Sequence, residues 1–557
     1  MDESDCGYDV AIIGSGIAGS ALASILSRQG LDVIVFEAKS HPRFSIGESM
    51  ILETSEMMRS LAELYEVPEL AYFSSENYFK HIGSQHGVKR HFSYLHHTQN
   101  TPHDLQQTLQ AVIPKQPHGH ELHLYRQDTD YFMMTTAVRY GATVLQETPV
   151  RRVHFGDECV LIEAKDATYT AKYIVDACGF RSILRDQFDL TQRDLQAHSR
   201  ALFTHMVDVP CVHEVTASKK AYDVPFRISE GTLHHVFDGG WLWVIPFNNH
   251  DGATNPIVSV GLMLDPRRYP QRDDLTPHEE FQTIISAFPS VAAQFKDARC
   301  VREWVRAPRI QYRASEVVGE RWALLGHAAG FVDPLYSKGL YVSFASVSML
   351  AYLLLGAQKT GDFSARAFQP LEKMTHGYLA MNDRLVANSY KSWGNDKLWR
   401  VYSVLWLLGA YTELIKLMTM RAQANGNLHI YHKQLAQMHL AGGGFPAFMG
   451  VADEIDGLLE RLDMTDEKAV EQTAAKVDSI LRSLDWIPEP FVAILDGKTS
   501  LPRRKLRPEL LNPSKGFFRT GTYREHFFGD VNWVALISHF VEEKVKYSSF
   551  MLNRQRA

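Results

Sequence analysis

Three glycines in the stretch Gly14-Ser15-Gly16-Ile17-Ala18-Gly19 take the spacing GxGxxG. That spacing suits a pyrophosphate. Gly14 permits a tight turn, Gly16 lets the backbone approach the phosphates, and Gly19 lets a helix and a strand pack closely. The free amides of the helix start, at Ile17 and Ala18, supply the anion contacts. Glu37 closes the next apolar run, where a carboxylate accepts hydrogen bonds from ribose hydroxyls. A second unusual stretch is GGWLWVIPFN, 239–248, which spends two of the chain's 9 tryptophans two positions apart. A strand alternates its faces, so Trp241, Trp243 and Ile245 form one apolar wall, and Pro246 ends the ladder. Histidines crowd 81–123, and pairs recur at 96–97 and 234–235, but no HExxH or comparable ligand spacing occurs. They read as satisfied or loop histidines with no metal site.

The elements that must hold these groups follow from periodicity. YDVAIIG (8–14) reads as a buried strand, 14–30 as a helix stopped at Gly30, and LDVIVFE (31–37) as a second strand. This βαβ unit implies a parallel sheet. Residues 48–66 and 127–140 carry a helical pattern, 148–165 alternates like a hairpin, and YIVDACG (173–179) is another buried strand. Residues 200–265 are β-rich, 276–297 helical, 321–330 a strand-to-glycine turn, and 340–557 mostly helical with breaks at GGGFP (442–446) and Pro488–Pro490. The expected class is α/β, α+β overall. A discontinuous Rossmann-like domain spans 1–200 with 300–355, and a β-rich substrate domain spans 200–300 with part of 65–125. A helical C-terminal region, 356–557, shapes the substrate pocket.

Composition excludes several roles. Of 557 residues, 45% are hydrophobic and 22% charged, and the net charge is −6, so no global basic footprint for nucleic acid or anionic membrane exists. The basic runs at 151–152 and 502–507 are short. Five scattered cysteines without CxxC point to a reducing compartment with no disulfide framework. The acidic start is no signal peptide. The apolar run 401–418 is interrupted by Glu413 and Lys416, which reads as a buried or substrate-lining helix, not a membrane span. A cytoplasmic protein is expected.

VDACGFRS (175–182) and LLGHAAGFVDPLYSKGL (324–340) resemble the second and third fingerprints of flavoproteins of the hydroxybenzoate-hydroxylase type. The resemblance implies FAD, with Asp333-Pro334 beside the flavin ring and the helix from Gly339 aimed at its pyrimidine edge. Arg43, Ile46, Gly47, Glu48, Arg126 and Val150 sit where that family places further flavin contacts. One departure is His327, where the third fingerprint usually has aspartate.

Trp241-Leu242-Trp243-Val244-Ile245-Pro246 matches WxWxIP, the signature of flavin-dependent halogenases. This second resemblance implies FADH2, O2 and chloride or bromide, with the Trp wall keeping substrate off the flavin while hypohalous acid travels to it. It implies halide binding by the amides of Lys338 and Gly339. It also implies an essential lysine after the Gly47-Glu48-Ser49 region. Lys80 in Tyr78-Phe79-Lys80 is the candidate and Lys89 in GVKRHF its rival. Tyr336 replaces the second glutamate that tryptophan halogenases carry in this turn, which points to the phenol- and pyrrole-halogenating branch. Ser403 is a candidate to orient a phenol. With no second GxGxxG for NAD(P)H, a separate NAD(P)H-dependent flavin reductase is the expected partner, and the substrate is a small aromatic, free or tethered to a carrier protein. The alternatives are a flavin-dependent monooxygenase of the same fold and a silent flavin-binding protein.

Overall fold

The computed structural model describes residues 6–115, 119–216, 224–500 and 521–529, with 538 and 541. The basic run 502–507 lies outside them. The apolar run YDVAII forms the strand Tyr8–Ile13, paired in parallel with Val33–Phe36 on one side and Thr168–Asp176 on the other. Thr143–Leu145 and Trp322–Leu324 extend the parallel sheet outward. Helix Ile17–Arg28 connects the first two strands. Only glycine fits two of the turn positions: a Cβ on Gly14 would stand 2.8 Å from the Ala177 carbonyl, and one on Gly19 would stand 2.1 Å from that of Gly14. The alternating run after 148 forms the hairpin Arg152–Phe155 and Val160–Glu163, which is antiparallel to Thr168–Asp176.

This hairpin overturns one sequence expectation. Its turn brings Cys159 beside the N-terminal residues, and Cys6 and Cys159 are joined as a disulfide with Cα atoms 5.9 Å apart. A separation of 153 residues gives no local signal of such a pair. Cys178, Cys211 and Cys300 are free.

The second large sheet has eight strands: seven in spatial order Arg299–Cys300, Arg200–Val207, Val258–Leu264, Gly240–Pro246, Thr232–Phe237, His91–His97 and Thr108–Val112, with Val305–Ala307 also paired to Arg200–Val207. The tryptophan strand is central. Trp241 faces Met263 and Trp243 faces Gly261 in register. A Cβ on Gly261 would stand 1.9 Å from the Trp243 ring, so glycine is what lets the indole lie on the neighbouring strand. Strand alternation divides two cores. Trp241, Trp243 and Ile245 join the large core shared with the nucleotide sheet and the C-terminal helices. Leu242 and Val244 enter a smaller core closed by helices Pro277–Ser286 and Pro289–Phe295. The strand ends at Pro246, with one further ladder bond from Phe247 N to Ile257 O, 3.0 Å.

Helices Lys338–Thr360, Ala365–Ser392 and Asp396–Ala424 follow the sheets. The first and third are long and apolar enough to cross a membrane, yet 72% and 78% of their most apolar windows are buried in protein. They are core helices.

The histidine crowd lies mostly in and beside the second sheet. His123 bonds Pro246 O and Thr232 Oγ1 at 2.9 Å each, His91 bonds Arg227 O, and His235 bonds both His97 and Gln294 at 2.8 Å. Among the described residues no group of three His, Cys, Asp or Glu side chains could hold a metal. Burial pushes His91, His123 and His234 down to about 3, and His86, His103 and His235 down to about 4. These rings stay neutral in the fold but bind protons once unfolded. Stability is therefore lost as pH falls through roughly 6.5 and continues to fall toward about 4. Urea unfolding midpoints measured across that window should drop steadily, and a flat profile would show that the rings ionise within the folded chain.

Candidate active site

Gly16 caps helix Ile17–Arg28 in extended conformation without a side-chain cap, which leaves the first-turn amides for a ligand. Glu37 stands beside them. Its carboxylate accepts from Ser15 N at 3.1 Å, Ser15 Oγ at 2.9 Å, Lys39 N at 3.1 Å and Arg43 Nη2 at 2.9 Å. Burial alone would raise its pKa, but the Arg43 charge and these hydrogen bonds hold it below the usual carboxylate range. A Cβ on Gly16 would sit 3.7 Å from Arg43 Nη2, so the missing side chain opens a path from the helix start to this guanidinium. Arg126 ties the next segment down. Its Nη1 donates to Ile46 O at 2.6 Å and Gly47 O at 3.0 Å, while Nε and Nη2 grip Asp130. Gly47 needs its φ of 95° for this turn. Glu48 is buried with Oε1 2.8 Å from His205 Nε2. Val150 is buried two residues beyond Thr148, whose amide bonds Glu37 O.

The third fingerprint shows what His327 does. Its Nε2 is buried without a hydrogen-bond partner and points at the start of helix Lys338–Thr360, where a Cβ on Gly339 would stand 2.7 Å away. Burial and then the Arg126 charge push the ring down to about 4, so it is neutral at pH 7. An orphaned ring nitrogen, an open glycine cradle and a carboxylate beside free amides fit a bound FAD. They would hold its pyrophosphate, ribose and flavin edge.

Asp333 links the turn to the tryptophan wall. Its Oδ1 accepts from Leu335 N, and its Oδ2 accepts from Ser199 Oγ and Tyr390 OH at 3.1 Å each. Tyr390 OH in turn accepts from Trp241 Nε1 at 3.0 Å. Burial pushes Asp333 up to about 7. Ser337, at φ 55°, reverses the chain so that the amides of Lys338 and Gly339 open a 23-residue helix. The Lys338 side chain is itself buried and donates to Glu53 Oε1 at 2.6 Å and Glu413 Oε2 at 2.8 Å. Burial opposes its charge, but the two carboxylates outweigh burial and raise its pKa.

The two candidate lysines differ sharply. Lys80 is exposed near the end of helix Ser75–His81, so the structure does not bring it to the turn. Lys89 is 0% exposed. Its Nζ donates to Ser49 Oγ and Met50 O at 2.8 Å and to Ser337 Oγ at 3.3 Å, and lies 3.5 Å from the centroid of the Phe92 ring. Burial drives its pKa well below the usual lysine range, only partly countered by Glu121 and Glu53. Glu121 pairs with it across the strands and is pushed up to about 7 by burial.

Phe92 also lines a cavity of about 90 Å³, together with Tyr336, Trp406, Glu53, Lys338 and Leu414. Tyr336 serves as its wall: the ring stacks on Trp406 at 4.6 Å and the hydroxyl bonds Ser389 Oγ at 2.5 Å. Ser403 is buried on the same helix as Trp406, and its Oγ donates back to Arg400 O. A larger hollow of about 420 Å³ opens on the opposite face of the sheet, beside Val244 and Arg227, away from Lys89.

Residues 7–362 match the FAD binding domain family. Monodechloroaminopyrrolnitrin halogenase PrnC of Pseudomonas fluorescens is 40% identical over 423 residues, 75% of this chain and 73% of that protein. Tetracycline 7-halogenase of Kitasatospora aureofaciens is 38% identical over 489 residues, 86% of this chain and 87% of that protein. The chain belongs to the flavin-dependent halogenases. Among solved structures, halogenase PltM in complex with phloroglucinol and FAD superposes with a TM-score of 0.84 at 31% identity, covering 88% of this chain and 99% of PltM. This halogenase is an enzyme that uses FAD, halide and O2 to halogenate an aromatic substrate. The phenol- and pyrrole-type resemblance agrees with these relatives.

Removing the Glu37 carboxylate tests the nucleotide end. Glu37→Ala should weaken FAD binding by about 1.5–3 kcal/mol, roughly ten- to a hundredfold, as read by flavin fluorescence titration. Unchanged affinity would place the ribose elsewhere.

Proposed function

We propose that this halogenase works on an electron-rich phenolic or pyrrole ring, that Lys89 rather than Lys80 carries the oxidant, and that the amides of Lys338 and Gly339 hold the halide. The carrying observation is the position of Lys89 Nζ. It is bonded to Ser337 beside those amides, and it rests on Phe92, whose ring lines the cavity. Bound reduced FAD with O2 supplies the oxidising equivalent that turns halide into hypohalous acid. Every other role falls to the chain. The helix start attracts the anion. Trp241, Trp243 and Ile245, with Pro246 at the strand end, form the barrier between flavin and substrate, and Asp333 through Tyr390 fixes the Trp241 indole. Lys89 gives up the longest of its three hydrogen bonds, the one to Ser337 at 3.3 Å, donates instead to hypohalous acid arriving from the turn, and presents its halogen to a ring in the cavity.

Gly14, Gly16, Ile17, Ala18, Gly19, Glu37 and Arg43 hold the dinucleotide, with Ile46, Gly47, Glu48, Arg126 and Val150 around it. Substrate size is set by the cavity: an empty apolar hollow of about 150 Å³ holds one benzene ring, so a site of about 90 Å³ is on the scale of a single ring with modest opening. A separate NAD(P)H-dependent reductase supplies reduced flavin, and cytoplasmic action follows from that supply. A carrier-tethered ring is compatible with the same cavity.

Incubation with FADH2, O2 and chloride or bromide, followed by mass spectrometry over a panel of phenols and pyrroles, should show products gaining halogen. Products that gain only oxygen would favour a monooxygenase. Lys89→Ala should abolish halogenation while FADH2 oxidation continues, and Lys80→Ala should leave halogenation intact. The reverse pattern would return the role to Lys80.

A further inference from the structure

Substitution of halogen on an aromatic carbon ends only when that carbon gives up its hydrogen. We propose that Glu53 is the base that takes this proton. The proposal rests on the halogenase reading with Lys89 as carrier, and it concerns the residue that completes the reaction in the same cavity.

Glu53 is the one carboxylate among the described residues that line the cavity. The other acidic candidates are disqualified by where they point. Tyr336 turns its hydroxyl to Ser389, and burial keeps it protonated. Asp333 is committed to Leu335, Ser199 and Tyr390. Glu413 lies behind Lys338, with its Oε2 taking both the ammonium at 2.8 Å and the Ala441 amide at 3.0 Å. Glu53 accepts from Lys338 Nζ through Oε1 at 2.6 Å, and no hydrogen bond to Oε2 occurs among the described residues. One oxygen is anchored and the other is left for the cavity.

Charge favours the same role. Two carboxylates around one ammonium carry a net −1. A ring that has accepted halogen but not yet lost hydrogen is a cation, and a fixed negative charge in a water-poor site stabilises it. When Glu53 takes the proton, the trio becomes neutral. Lys338 holds the carboxylate in place, with Glu413 on the other side of the ammonium.

The step balances. A π pair of the ring forms the carbon–halogen bond as the halogen–oxygen bond of hypohalous acid breaks. The departing hydroxide takes a proton from the Lys89 ammonium and leaves as water. The ring C–H bond then breaks, its pair restores aromaticity, and the proton passes to Glu53. Proton return from Glu53 to Lys89 resets both groups. The sum is aromatic C–H plus hypohalous acid giving aromatic C–halogen plus water.

The test is kinetic, with a phenol that the wild-type enzyme halogenates and the same phenol deuterated at the attacked carbon. Wild type should show an isotope effect near unity, because proton loss is fast. Glu53→Gln keeps the shape and leaves Lys338 paired with Glu413. It should lower kcat for halogenation by roughly a hundredfold or more, with KM and FAD binding little changed, and a clear isotope effect should appear. Glu53→Asp, which keeps the charge on a shorter arm, should fall between the two and also show the isotope effect. This variant serves if the glutamine form does not fold. Halogenation by either variant at the wild-type rate, or a slowed rate with no isotope effect, would overturn the proposal. Absence of halogenated product from wild type would instead sink the halogenase reading on which it rests.

Discussion

The buried ammonium of Lys338, held between Glu53 and Glu413, is the constraint on which the site depends. It ties together three helices from distant parts of the chain: Leu52–Leu64, Lys338–Thr360 and Asp396–Ala424. Three charges withdrawn from water are costly to bury, and removing one partner of such a group leaves the others uncompensated. With the trio in place, the left-handed turn at Ser337 stands beside the first amides of the helix, and Lys89 finds Ser337 within reach. Two members of the trio, Glu53 and Lys338, also line the cavity.

Around this anchor, the two tryptophans divide labour through the period of the strand. Trp241 is held from outside by the chain Tyr390 to Asp333, and Trp243 is held from its own sheet by Ser259 and by the bare backbone of Gly261. Both rings point into the large core, and the residues between them fill the small one. Rings held this way are stiff, because moving either one requires shifting the close-packed large core around it.

Features set by local spacing were legible in the sequence. The glycine turn, its βαβ unit, Glu37 and the shared face of Trp241 and Trp243 all depend on residues within one or two elements, where periods of 2 and 3.6 speak directly. Features set by distant pairing were not. Lys80 and Lys89 look alike as sequence, but the pairing of Gly87–Lys89 with Glu121–His123 carries Lys89 inward, while Lys80 stands exposed near the end of helix Ser75–His81. Cys6 and Cys159 meet only because a hairpin folds back to the chain start. Glu413 looked like a polar interruption in an apolar helix. It is a counter-charge for a lysine 75 residues earlier. Glu53, on a helix of mixed character, offered no sign that it would be buried.

The strand His91–His97 pairs in parallel with Thr232–Phe237, joining segments some 140 positions apart. A parallel pairing cannot be made by a tight turn, so the chain must close long loops before this edge of the cavity exists. Such non-local contacts form slowly and together. The walls around Lys89 come from positions near 50, 90, 337 and 406, so no short segment can assemble a working site early. A half-folded chain therefore has neither the closed cavity nor the enclosed lysine, and the site comes into being only with the whole fold.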